Sequence, residues 1–410
     1  MESVCRREPV RRHVIIGARG LRGVCAGDGG MSVAGDSMCA MKPAVKAGLQ
    51  PLWRDRDTLQ IGVDPRRAIA LTGLGKAAAV VSLLDGSRDA AEVVSTARAY
   101  GIPPDATNRV LGLLASAGVL NDFPAHLHRA LPEYLRARLA PELACASLAY
   151  ADGDGGARTI ARRRAAFVRV HGAGRIGACV ATFLAASGVA RVSCADGGRT
   201  VPADLAPAGL TQADIGHARE AGVARAIRRI APEVQTRDDG AQPDLAVLTG
   251  ARDAELIAAL MRDRVPHLAV KADEAIGIVG PLVEPGISAC LRCVDMSKAE
   301  RDDAWPLILA QVSTASPQAC DTVLAAATAA LASAQALAYI DGAGPRPVAA
   351  NGTLELVLPE WQWRRRTWPP HPVCTCGAGT AAGTGTAAGT GSATSGGEAA
   401  AGGEPRARSA

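Results

Sequence analysis

The residues of this sequence that could do chemistry fall into two groups, a glycine turn and a set of thiols. Gly172-Ala-Gly174-Arg-Ile-Gly177 follows the apolar run Phe167–His171. Where a strand turns into a helix, three glycines have separate jobs. The first permits the turn, the second lets a phosphate approach the backbone, and the third lets helix meet strand. The helix start adds free N–H groups and the positive end of its dipole. Asp196, just past the next apolar run, can accept from a ribose hydroxyl. By itself this pattern suits an NAD enzyme, an ATP-using enzyme, or a turn kept only for its shape.

Cys290-x-x-Cys293 forms a short knuckle, and Cys374-x-Cys376 lies far downstream. Four thiolates from two separated segments suit a tetrahedral zinc ion with no open position, which is a structural arrangement. His371 is near enough in sequence to replace one ligand. The chain has 11 cysteines, an odd count, and its first residues lack a hydrophobic signal core. Reduced thiols in a cytoplasmic protein are therefore expected rather than a disulfide framework. Cys5, Cys25, Cys39, Cys145, Cys179 and Cys194 have no ligand-like spacing and read as bystanders or core fillers. Cys320 has no His or Lys nearby in sequence to lower its pKa and reads as structural.

The elements that must position these residues follow from composition and periodicity. A chain of 410 residues can hold two or three domains. Hydrophobic residues make up 48% and aromatics only 3%, so the cores are built from Ala, Val and Leu, as suits helices packed on a parallel sheet. A net charge of +5, without a basic stripe interleaved with aromatics, sets nucleic acid aside. No stretch approaches the roughly 18 uninterrupted apolar residues of a membrane span.

Residues 1–45 are Arg- and Gly-rich and are expected to be a disordered arm or an over-extended start. Residues 46–122 carry short alternating runs from Leu52 to Ile69 and then three helical patterns: Gly75 to Leu84, Asp89 to Tyr100 and Pro104 to Ala117. A ribbon plus three short helices is a winged-helix, α+β pattern. Its last helix offers only Arg109 as a cation, which argues against DNA. Residues 123–164 read as a helical connector. From residue 165, strand and helix patterns alternate, the signature of a doubly wound, Rossmann-like parallel sheet. This α/β domain is expected to run to residue 377, with a flexible Gly/Ala/Thr tail over 378–410.

Val170 to Gly177, Asp196, Gly280-Pro-Leu-Val-Glu-Pro-Gly286, Cys290-Leu-Arg-Cys293 and Cys374-x-Cys376 together resemble the ThiF family, the prokaryotic relatives of ubiquitin-activating enzymes. The resemblance implies binding of ATP and Mg²⁺ at Gly172, Gly174, Gly177, Asp196 and Arg219, adenylation of a peptide or small-protein C-terminus, and a homodimer. This chain departs from the pattern. The family's Asn-Leu-x-Arg-Gln element reads Asp204-Leu205-Ala-Pro-Ala, so the phosphate-gripping Arg is absent. Arg219 stands for the family's Lys. The turn that carries the metal-binding Asp reads Leu248-Thr-Gly-Ala-Arg252, with Asp253 a few residues late. Losing one such group costs on the order of 10³-fold or more, so the departures imply weak or absent ATP turnover.

The N-terminal block resembles the peptide-recognition element of ribosomal peptide natural-product pathways. That resemblance implies that the leader of a precursor peptide adds as a strand at the ribbon edge and is handed to a YcaO-type cyclodehydratase. Leu59, Ile61, Val110 and Leu113 are the candidates for lining the groove, or else belong to the core.

Overall fold

The computed structural model describes residues 14–17, 42–122, 131–150, 153–312 and 319–378. Six strands lie in its N-terminal part: β1 (Val14–Gly17), β2 (Pro43–Val45), β3 (Pro51–Trp53), β4 (Thr58–Ile61), β5 (Ile69–Thr72) and β6 (Leu120–Asp122). Strands β3, β4 and β5 pair antiparallel, β1 adds to β5 in parallel, and β2 pairs with β6. In β4 the period-two pattern turns Leu59 and Ile61 inward and leaves Thr58 and Gln60 half-buried.

The three helical patterns are present in the expected order, the first as a 3-10 stretch (Gly75–Leu83), then α1 (Ala90–Ala99) and α2 (Pro104–Ser116). Asp89 and Glu92 cap α1 reciprocally, each side chain accepting from the other's backbone N–H at 2.8 Å. Two segments of the arm expected to be disordered are strands, β1 and β2.

The connector is helical: α3 (Glu133–Arg138), α4 (Ala140–Tyr150) and α5 (Ala157–Ala165). It bonds in both directions. Lys46 Nζ donates to the Ser147 carbonyl at 3.0 Å, and Ser147 Oγ donates to Asn121 Oδ1 at 2.8 Å. On the other side Arg163 grips the fully buried Asp341 through two contacts of 2.8 and 2.7 Å, and Tyr150 OH donates to the same carboxylate.

The C-terminal part holds a seven-stranded sheet of β7 (Phe167–His171), β8 (Arg191–Ala195), β9 (Leu245–Leu248), β10 (His267–Asp273), β11 (Ile276–Val283), β12 (Gly352–Val357) and β13 (Gln362–Thr367). Its order is β13-β12-β11-β10-β9-β7-β8. Strands β8, β7, β9 and β10 run parallel, as expected from the alternating pattern, but β11, β12 and β13 extend the sheet antiparallel. The sheet is therefore mixed rather than wholly parallel. Its helices are α6 (Arg175–Ala186), α7 (Arg219–Ile230), α8 (Ala254–Arg262), α9 (Leu291–Ala299), α10 (Trp305–Val312) and α11 (Thr322–Asp341).

Helix α11 is long and apolar enough to cross a membrane by length and composition. Its Leu324, Ala325, Ala329, Ala332 and Ala336 are instead fully buried in the same core as Val180 and Leu184 of α6 and Val168 and Val170 of β7. From β7 the chain goes to β8 on one side and returns to β9 on the other. The end of β7 is thus a topological switch point, where ligands bind in open α/β sheets.

Candidate functional site

The glycine turn sits at that switch point, between β7 and α6. Gly172 has a φ of 92°, and a Cβ there would stand 2.6 Å from the Gly250 nitrogen. A Cβ on Gly177 would stand 1.9 Å from the Gly172 carbonyl oxygen, so helix and strand meet with no room for a side chain. Thr249, at the end of β9, fixes the turn from outside: its hydroxyl lies 2.9 Å from the Gly172 carbonyl oxygen and 3.1 Å from that of His171.

The charged groups around the turn are engaged with one another. Asp196 Oδ2 accepts from the Ala173 N–H and Oδ1 from the Gly198 N–H, both at 2.7 Å. Arg219 Nε and Nη2 donate to the two oxygens of Asp204 at 2.8 and 3.0 Å, and Nη1 lies 3.5 Å from Asp196. Burial works against the charge on Arg219, but Asp204 and then Asp196 more than offset it, and its pKa is raised. Asp204 is 7% exposed and lies against the second glycine, its Oδ1 3.4 Å from where a Gly174 Cβ would be. Arg175, the first residue of α6, donates to the carbonyls of Ala203 and Cys320 at 2.9 and 3.0 Å. Gly172, Gly174, Gly177, Asp196 and Arg219 are thus brought together as the sequence implies, with Asp204 among them.

Asp204 is the group that sequence reasoning passed over as part of a lost element. Its local signal is the turn Val201-Pro202-Ala203-Asp204, in which its carboxylate also accepts from the Val201 N–H at 2.9 Å. Asp253 caps α8 by accepting from Leu256 at 3.0 Å, and Arg252 pairs bidentately with Asp295. Neither faces the turn through those bonds.

The four thiols form the second constellation. The Sγ atoms of Cys290, Cys293, Cys374 and Cys376 all lie within 4.8 Å of one another. Three pairs are 3.6 to 3.7 Å apart, close to the roughly 3.8 Å expected for sulfurs about 2.3 Å from one tetrahedral ion and far beyond a disulfide bond. Burial pushes the Cys290 and Cys374 thiols up, whereas the Ala378 N–H and neighbouring thiols outweigh burial at Cys376 and lower it. These four can hold a metal ion. His371 does not join them: its Nε2 lies 2.8 Å from Glu300 Oε1.

Of the remaining cysteines, Cys179 is buried and Cys194 is half-buried against the main core, and burial raises their thiols to about 11 and about 12. Cys145 is exposed and is no core filler. Burial also raises Cys320, despite the charge of Arg175 nearby. Cys5, Cys25 and Cys39 lie outside the described residues.

Of the two readings open for the candidate groove positions, the structure places them in the core. Leu59, Ile61, Val110 and Leu113 are 3%, 0%, 1% and 4% exposed and belong to one core cluster. They hold the module together, and a peptide laid on its surface would meet other residues.

Residues 150–247 match the model of the ThiF family. No curated protein matches this chain. Among solved structures, E. coli MccB with AMPCPP and selenomethionine-labelled MccA is 16% identical, with a TM-score of 0.62, and the match covers 82% of this chain and 100% of that one. E. coli MccB with ATP is similar over the same shares at 16% identity and a TM-score of 0.60. The microcin C7 biosynthetic enzyme MccB with N-formylated MccA is also 16% identical, covering 82% and 99% of the two chains with a TM-score of 0.59. The glycine turn therefore lies in a stretch that matches the ThiF family model, and the chain as a whole has a fold like that of MccB.

Proposed function

We propose that this chain is a ThiF-like protein of ribosomal peptide natural-product biosynthesis that binds a precursor peptide by its leader. It presents that peptide, as a cytoplasmic homodimer, to a YcaO-type cyclodehydratase that makes azolines. The observation that carries this reading is the Asp204 carboxylate lying against Gly174 and held there by Arg219. A triphosphate approaching the second glycine would meet an anion, and the cation that should greet it is already neutralised. Peptide handling is supported by the likeness in fold to MccB, whose structures contain MccA. The N-terminal module supplies a ribbon edge, where backbone hydrogen bonds give affinity and side-chain pockets give selectivity. Zinc on Cys290, Cys293, Cys374 and Cys376 would staple the C-terminal part, since thiolate donors favour it over hard cations.

Calorimetric titration with the precursor peptide encoded beside this gene should give saturable binding, and no peptide-dependent AMP should form. Asp204→Asn should bind ATP at least about tenfold more tightly than the wild type by removing one close negative charge. Peptide-dependent AMP transfer by the wild-type protein would overturn the reading. It would favour a second one, an adenylyltransferase acting on a peptide or sulfur-carrier C-terminus, which the intact backbone of the turn at Gly172 and Gly177 supports.

A further inference from the structure

We propose that the outer edge of β5 is a strand-exchange site, and that the chain's own β1 occupies it as an internal competitor of the incoming peptide. The inference rests on the peptide-binding reading only for the identity of the incoming strand. The ribbon has two flanks, β3 and β5, and they differ. Strand β3 is three residues long, starts with Pro51, which has no N–H to donate, and carries exposed Leu52 and Trp53. A short flank broken by proline is a poor template for another strand.

Strand β5 is four residues long with Ile69 and Leu71 buried in the module core, so its backbone is held firmly while its outer edge is free to pair. That edge is taken by β1, in parallel, with Val14 opposite Ile69, Ile15 opposite Ala70, Ile16 opposite Leu71 and Gly17 opposite Thr72. The rest of the ribbon is antiparallel and follows in sequence through short turns. Strand β1 comes from far upstream, and the next described residue after Gly17 is Lys42. Its attachment through four residue pairs at an outer flank is the kind that opens locally at little cost.

The resident strand also indicates what the edge accepts: a short, uncharged, extended segment rich in β-branched residues, like Val-Ile-Ile-Gly. Being tethered, β1 competes at an effective concentration on the order of millimolar. An external peptide then binds more weakly by the fraction of molecules in which the edge is free.

The probe is a fluorescein-labelled synthetic peptide of residues 11–20, titrated by anisotropy into the full chain. Ile15→Pro/Ile16→Pro removes two N–H groups from β1 and should release it. This variant should bind the probe at least about tenfold more tightly than the wild type. A second variant, Ile15→Cys/Ala70→Cys, places thiols on directly paired residues. Oxidised, it should not bind the probe, and reduction should restore wild-type binding, with wild-type protein treated identically as the control. Equal probe affinity in the wild type and the proline variant, or probe binding to the oxidised lock, would overturn the proposal. If the probe behaves as expected but the precursor peptide does not displace it, strand exchange stands and the peptide-binding reading fails. If the precursor peptide binds the wild type and the proline variant alike, the reading stands and the competitor role fails.

Discussion

The glycine turn and the thiol cluster both rest on short sequence motifs, one in the turn and two separated ones in the cluster, yet they end in opposite states. Around the turn the polar groups satisfy one another: Asp196 takes the Ala173 N–H, and Arg219 is clasped by Asp204. In the cluster, Cys290 and Cys374 are buried, their thiols are pushed up, and the four sulfurs face each other at metal-binding spacing. A pocket whose polar groups already satisfy one another gains little from a ligand. Buried donors converging on one point gain a great deal from a cation that replaces their protons. A motif therefore specifies the backbone and the donor set, while function depends on what else the fold brings to them.

The largest expected effect breaks the cluster side of this contrast. Cys290→Ser should reduce bound zinc from one per chain to a small fraction and lower the melting temperature by about 10 °C, because structural zinc contributes folding free energy directly. Metal analysis together with thermal unfolding measures both. Undiminished metal content would show that the four sulfurs are not a single site.

Next comes the backbone of the turn itself. In a helix interior, Gly→Ala ordinarily adds about 1 kcal/mol of stability. At Gly177 that gain is outweighed, because the new methyl would lie 1.9 Å from the Gly172 oxygen and 2.5 Å from Thr249 Oγ1. Gly177→Ala should cost about 3 kcal/mol or more, as overpacking against backbone does. Gly174→Ala meets only Asp204 Oδ1 at 3.4 Å and should cost less than about 1 kcal/mol. Denaturant unfolding of the pair measures the difference. Equal costs would mean that the close strand–helix contact is not what Gly177 serves.

The sequence made the turn, the thiols and the first four strands of the sheet legible because each rests on local pattern. Gly172 to Gly177 and the alternation of β7, α6 and β8 need no distant partner to be recognised. Asp204 was not legible as the partner of Arg219, since their contact is made across space. Strands β11 to β13 were missed for local reasons. Pro281 and the glycines of β11 break the strand pattern, and β13 is an exposed, Arg-rich edge without an apolar face. Strand β1 hides three apolar residues in an Arg- and Gly-rich stretch. At Leu59 and Ile61 the period of two correctly gives an inward face, but periodicity does not distinguish a face covered by the chain's own helices from one covered by a ligand.

His267 combines the two conditions, with one nitrogen satisfied and one not, and gives the smallest expected effect. It opens β10 fully buried, with Nδ1 3.0 Å from the Val265 carbonyl, which the ring N–H meets as donor, while Nε2 has no partner among the described residues. Burial, only partly opposed by that bond, holds its pKa below the ordinary 6.5. The unfolded chain takes up a proton near pH 6.5, whereas the folded chain resists it until lower pH. Stability linked to this residue is therefore complete above about pH 6.5 and falls as the pH drops below it, by up to about 1.4 kcal/mol per pH unit. Half-buried His171, lowered first by burial and then by Arg169, adds in the same direction. Urea unfolding at pH 7.5 and 5.5 should show the wild type losing about 1 kcal/mol more than His267→Gln over that interval. An identical loss in both would assign the acid sensitivity to other groups, and would mean that a half-satisfied buried ring behaves here like the fully satisfied glycine turn.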